Sequence, residues 1–152
     1  VIHLRDYQLP LYNQEIEDEQ GLPKEALALK TLFMDHEGLL LACPEYNSSM
    51  TAVFKNTIDW VSRKATRDED DLSCFVGKVV TLMSASPGPL GGLRGLVHVR
   101  SLFSCLYSLV LPRQKSIPFA DRAFDGEGNL LKTQDQADTL RLGRELAEFL
   151  MR

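Results

Sequence analysis

Two short apolar runs constrain this chain more than any other feature. Leu39-Leu40-Leu41-Ala42-Cys43 and Val79-Val80-Thr81-Leu82-Met83 set apolar side chains at successive positions with almost no polar alternation. A strand with one wet face alternates, so these runs predict strands covered on both faces, as in a parallel sheet between helical layers. Pro44 stops the first run, and a Gly-rich stretch from Ser84 to Gly95 follows the second. Leu39–Cys43 is the longest apolar run and falls far short of the ~20 residues of a membrane-spanning helix, so no membrane segment is expected.

Around these runs the spacing changes to that of helices. Leu22, Ala26, Leu29 and Phe33 form one stripe that Pro23 could open and Gly38 end. Met50, Val53, Phe54, Thr57, Ile58 and Val61 form a second, with Ser48 or Ser49 as its N-cap. Leu96, Val99, Phe103, Leu106, Tyr107 and Val110 form a third, running into a strand at Leu109–Leu111. Leu140, Gly143, Ala147 and Leu150 mark the inner face of a closing helix, and Val1 to Leu4 is a short β-favouring stretch. Strand and helix patterns that alternate with short connections imply right-handed crossovers and helices on both faces of a parallel sheet. The expected class is α/β, one layered domain over residues 1–152.

Charge and cysteine usage narrow the function classes. Across 152 residues, 17 Lys+Arg against 21 Asp+Glu leave a net charge of −4, without the basic face that a nucleic-acid partner requires. Cys43, Cys74 and Cys105 are odd in number and form no CxxC pair, which argues against a disulfide scaffold or zinc site and fits a reducing cytoplasm. No basic-then-apolar leader is visible at the start of the sequence, and Val1 rather than methionine opens it.

In an open parallel sheet, ligands bind beyond the carboxyl ends of the strands. Two loops are expected there, Pro44-Glu45-Tyr46-Asn47-Ser48-Ser49 and Ser84-Ala85-Ser86-Pro87-Gly88-Pro89-Leu90-Gly91-Gly92. Both offer backbone N–H groups and small hydroxyls, suited to a planar polar ligand or an anion. No G-x-x-x-x-G-K-[ST] is present, the glycines at 88, 91, 92 and 95 do not match G-x-G-x-x-G, and no G-x-S-x-G elbow occurs. Any chemistry therefore falls to a cofactor, and no catalytic or metal-ligating residue is nominated.

The first loop, continued by Val53-Phe54-Lys55-Asn56-Thr57-Ile58-Asp59-Trp60, resembles the signature of the NADPH-dependent FMN reductase family, and Ser84 to Gly88 with Gly91-Gly92-Leu93-Arg94 resembles its second flavin loop. The resemblance implies a flavodoxin-like three-layer fold with a parallel sheet, FMN and NADPH (or NADH) as cofactors, and hydride transfer to a small-molecule electron acceptor such as a quinone. It implies that Pro44, Glu45, Tyr46 and Asn47 hold the isoalloxazine edge and ribityl chain, with Ser84, Ser86 and Gly88 on the opposite side. It further implies a cytoplasmic homodimer or homotetramer, with Lys55, Asn56, Asp59 and Trp60 shaping the helix start and an oligomer surface. Val1 stands where the family's second strand would be, so the first strand-helix unit and its phosphate loop are expected to be missing. The alternative readings are a flavodoxin-type electron carrier and a flavin-free remnant or interaction domain.

Other features carry plainer expectations. Asp68-Glu69-Asp70-Asp71 reads as a solvated loop. Asp125-Gly126-Glu127-Gly128-Asn129 mimics a calcium loop but has Leu130 and Gln136 where glycine and glutamate are needed, so a turn is expected. His3, His36 and His98 share no metal-ligand spacing. Cys43 reads as a small core residue with a slight redox possibility. Arg94 and Arg100 suit either an anionic phosphate or acceptor, or carboxylates at an interface.

Overall fold

A computed structural model describes residues 1–152. In chain order the elements are α1 (Gln14–Gln20), α2 (Lys24–Met34), β1 (Gly38–Ala42), β2 (Glu45–Tyr46), β3 (Ser49–Met50), α3 (Ala52–Val61), β4 (Val79–Ala85), α4 (Leu93–Cys105), β5 (Leu109–Ile117) and α5 (Thr133–Leu150). β1, β4 and β5 form a parallel sheet in that order, while β2 and β3 make a separate antiparallel hairpin. The two runs singled out above are thus neighbours, paired from Gly38 beside Val79 to Ala42 beside Met83.

Side-chain alternation along the sheet divides the core. Val80 and Leu82 point to one face and meet Leu29 and Phe33 of α2, Phe54, Ile58 and Val61 of α3, and Leu96, Val99 and Phe103 of α4. Phe75 closes this layer, edge-on to Phe33 at 5.4 Å and to Phe103 at 6.0 Å. Val79 and Leu111 point the other way onto Leu146 of α5. Each fully buried aliphatic or aromatic side chain is worth about 1.5–3 kcal/mol. The expected three-layer α/β architecture is present, with β4 at its centre.

The departures from expectation have local causes. β1 pairs only with β4, so its outer edge is open and Leu40 is 47% exposed, rather than covered on both faces. The second helix begins at Ala52 with Thr51 as cap, because Met50 is taken into β3. Ser84 and Ala85 lengthen β4 instead of opening the loop. Leu106 ends α4 and Tyr107 turns left-handed at φ 59°, so the apolar spacing from Leu96 to Val110 crosses two elements. β5 runs on to Ile117 through an irregularity around Pro112, whose missing N–H is tolerated where the ladder is already broken. On α5 the buried positions are Leu142 and Leu146, and Leu140 is exposed. Val1 to Leu4 forms no strand; a 3-10 turn at Leu4–Asp6 follows, and Leu4, Tyr7 and Leu9 pack on the main core. The turn at Asp125 is as expected, with its carboxylate accepting the Glu127 and Asn129 N–H groups.

Two polar anchors fix the segments that lack regular structure. The carbonyl of Pro10 accepts from both the Asn56 amide at 2.9 Å and the Trp60 indole at 2.8 Å, while Asn56 accepts the Tyr12 N–H. Trp60 is fully buried beneath Tyr12, so Asn56 and Trp60 hold the amino-terminal segment within the chain rather than lining an oligomer surface. Lys30 is buried, and its ammonium donates to the Val61 and Arg63 carbonyls and meets Glu69 at 2.6 Å. Glu69 also accepts the Ala65 N–H and the Ser73 hydroxyl. Within the acidic loop Glu69 is therefore a tether, and only Asp68, Asp70 and Asp71 are solvated.

Burial alone would raise the Glu69 pKa, but hydrogen bonds from Lys30, Ser73 and Ala65 outweigh it and hold the carboxyl below its usual value. A depressed carboxyl contributes stability that is full above its unfolded value and is lost as the pH falls through the folded one. Glu69→Gln leaves Lys30 buried without its counter-charge, so urea unfolding at neutral pH should show a loss of about 3 kcal/mol. The variant's stability should also fall less steeply than the parent's on acidification.

Candidate functional site

The first loop is built as a very tight hairpin. The Cys43 N–H continues the sheet by donating to Met83 O at 2.8 Å, after which Pro44 turns the chain away. Asn47 and Ser48 then both take left-handed backbone conformations, φ 50° and 63°, the geometry of a two-residue type I′ turn. Their backbone N–H groups find no backbone acceptor. Asn47 and Tyr46 are exposed, Tyr46 by 65%.

The second loop leaves β4 one strand away and at the same end of the sheet. The Ser86 N–H donates to Ile117 O and the Ala120 N–H to Ser86 O, while the Phe119 N–H reaches Gly88 O at 3.3 Å. Ser86 Oγ accepts the Gly88 N–H at 3.3 Å. Gly91 packs against the backbone at Ile117–Pro118, where a Cβ would come within 2.6 Å of the Pro118 nitrogen. At Gly92, φ +87°, a Cβ would overlap Ser84 Oγ and lie 3.6 Å from Glu45 Cβ. Ser84 is buried, and its hydroxyl has no hydrogen-bond partner.

The hairpin and α4 are locked together. The Gly95 N–H donates to Glu45 Oε2 at 2.8 Å, Arg94 donates to Ser48 Oγ at 3.1 Å, and His98 Nδ1 shares a hydrogen bond with Ser49 Oγ at 2.8 Å. Ser48 and Ser49 are thus used on α4 and not as the cap of α3. Arg100 fills neither role expected of it: its guanidinium donates to the Val110 and Leu111 carbonyls and to Gln114, repairing the irregularity in β5. Burial pushes the Cys43 thiol up to about 12, so it stays protonated and unreactive at neutral pH.

Of the predicted site residues, Glu45 and Ser84 come together across Gly92, while Pro44, Tyr46 and Asn47 ride on the hairpin and Ser86 and Gly88 on the facing loop. Sequence reasoning missed Phe119, whose left-handed φ of 52° and exposed ring under Arg122, 4.6 Å from the guanidinium, border the second loop. Pro118 just before it was the only signal. Gly92 and Gly95 were noted as loop glycines, but their role in close approach depends on tertiary neighbours.

The family model for NADPH-dependent FMN reductase matches residues 1–122. The chain belongs to the NADPH-dependent FMN reductase family. It is 35% identical over 125 residues to an NAD(P)H-dependent FMN reductase of Pseudomonas aeruginosa, covering 81% of this chain and 63% of that protein. It is 32% identical over 103 residues to a quinone reductase of Escherichia coli K12, covering 68% of this chain and 52% of that one. The chain thus spans between about half and two thirds of the length of these relatives. The fold is shared with the flavoenzyme NAD(P)H:(acceptor) oxidoreductase FerB from Paracoccus denitrificans, with a TM-score of 0.75 and 22% identity over 96% of this chain and 78% of that one. The expected flavodoxin-like likeness stands. In this member of the FMN reductase family no three His, Cys, Asp or Glu side chains gather as a metal set, and no helix is long and apolar enough to cross a membrane.

Two measurements follow from this packing. Gly92→Ala puts a methyl into Ser84 at a positive φ and should lose about 3 kcal/mol in urea unfolding. Gly128→Ala has the same φ of 87° with nothing within 4 Å, and should lose only the backbone part, about 1 kcal/mol. With a thiol reagent on the native protein, exposed Cys105 should react rapidly, and buried Cys43 and Cys74 only on unfolding.

Proposed function

We propose that the protein is an FMN-dependent NAD(P)H oxidoreductase that delivers hydride to a small acceptor such as a quinone. The observation that carries this reading is the pairing of two ligand-ready loops at the carboxyl ends of adjacent parallel strands, in a chain of the FMN reductase family. The loops suit a flat, polar ring. The Asn47 and Ser48 N–H groups have no backbone acceptor, Ser86 and Gly88 after the adjacent strand bring little side-chain bulk, and the Ser84 hydroxyl has no hydrogen-bond partner.

In this reading Asn47 and the turn N–H groups orient the ring edge, with Pro44, Glu45 and Tyr46 setting that turn. Ser86 and Gly88 bound the opposite side, and Phe119 shields its border from water. Bound FMN supplies the chemistry, taking hydride from the nicotinamide and passing it on, so no side-chain acid or base is assigned. The names of the relatives, an NAD(P)H-dependent FMN reductase and a quinone reductase, support this activity over an electron carrier or a flavin-free domain.

The reading extends to assembly and context. Exposed Tyr46, Val53, Leu93 and Val97 on the hairpin, α3 and α4 favour a homo-oligomer, and three free thiols favour the reducing cytoplasm. The open edge of β1, with Leu40 exposed, favours a flavodoxin-like domain completed by a further strand there.

The test is FMN retention after incubation and desalting, read by visible absorbance, followed by NADPH oxidation with a quinone. Bound flavin and quinone-dependent turnover are expected, and Asn47→Ala should weaken FMN binding by about tenfold, the loss of one hydrogen bond. A folded protein that binds FMN without oxidising NADPH would overturn the enzymatic reading, and one that never binds FMN would overturn the flavin site.

A further inference from the structure

The β2–β3 hairpin pairs only Glu45 with Met50 and Tyr46 with Ser49. An isolated two-stranded hairpin is marginal in water, so this one needs an outside anchor. The anchor is the start of α4. Its first N–H groups have no intrahelical acceptor, and the Gly92 cap brings no side-chain bond of its own. The Gly95 N–H is one of these orphan donors, and the acceptor is Glu45 Oε2, supplied from fifty positions earlier in the chain. The approach is close: a Cβ at Gly95 would stand 3.3 Å from both Glu45 Cβ and Cγ and 3.2 Å from Ser49 O, so the hairpin would have to give by a few tenths of an ångström to admit one.

We propose that Glu45 is a positioning residue whose carboxylate latches the Asn47–Ser48 turn to α4, and that its side chain does not contact the flavin. The proposal rests on the flavin reading of the site and gives the Glu45 side chain its task within it, which is to hold the turn. The carboxylate is turned inward, onto a helix terminus whose partial positive charge favours it. Arg94 to Ser48 and His98 to Ser49 add neutral-acceptor bonds along the same seam, but only Glu45 joins the hairpin to α4 through a charged acceptor. With the latch closed, the N–H groups of Asn47 and Ser48, which have no backbone acceptor, keep a fixed place beside the start of α4. With it open, the ligand must order the turn itself, which weakens binding.

The experiment compares the full chain with Glu45→Gln and Glu45→Ala. FMN affinity is read by quenching of flavin fluorescence, and order of the Asn47 and Ser48 amides by NMR relaxation without flavin. Glutamine keeps an acceptor for Gly95, so Glu45→Gln should stay within about threefold of the parent affinity and leave the turn ordered. Glu45→Ala should weaken FMN binding by about tenfold and make both amides mobile in the flavin-free chain. An alanine variant with parental affinity and an ordered turn overturns the latch. So does a glutamine variant as weak as alanine with the turn still ordered, which would make the carboxylate a direct flavin contact. If the parent chain takes no FMN, the flavin reading itself fails, whatever the two variants show.

Discussion

Five residues of β1 lie in parallel register against β4, and both ligand-ready loops inherit their positions from that pairing. Because the strands run the same way, their carboxyl ends coincide, and the chain must turn there twice. Cys43 adds one more ladder bond before Pro44 forces the departure, so the hairpin begins one residue beyond the sheet. α4 then starts beside that hairpin, close enough for the Arg94, Gly95 and His98 contacts to Ser48, Glu45 and Ser49. A slip of one residue would send Leu41 and Leu82 from the aromatic layer to the α5 side, where only a small cluster could receive them.

Much of this was legible in the sequence because it rests on local pattern. The two apolar runs marked two strands, which the structure makes neighbours, and the 26–29–33 and 54–58–61 stripes marked the buried faces of α2 and α3. Pro44 marked the turn after β1, which the structure builds as a hairpin. Misreadings cluster where tertiary contacts override local preference. Met50 fits a helical stripe but is claimed by Glu45 across the hairpin. Ser84 sits beside glycines and prolines yet stays in the strand, because Ser116 of β5 still pairs with it. Leu140 looks like core, but the face of α5 that meets the sheet is set by Leu142 and Leu146. β1 looked covered on both faces, but it pairs only with β4 and leaves Leu40 exposed, which its own sequence could not reveal.

Charged residues in this molecule serve mainly as internal connectors. Lys30 ties a structureless strap to α2, Arg100 mends a broken ladder, and Glu45 caps a helix that begins elsewhere. Each spends its charge on backbone groups that regular structure leaves unpaired, where a charge-assisted bond exceeds a neutral one. Lys115 is similar in kind. Its burial opposes the charged form, but the hydrogen bonds it donates to Asp135 and Asp138 prevail and raise its pKa, pinning the start of α5 to β5.

The double use of the Pro10 carbonyl has a dynamic side. A segment without regular structure ordinarily opens residue by residue, each step costing little. Here residues 10 to 12 cannot lift away without stranding the Asn56 amide and the Trp60 indole and uncovering a fully buried ring. Release of this segment and loosening of the α3 face that carries Asn56 and Trp60 are therefore coupled.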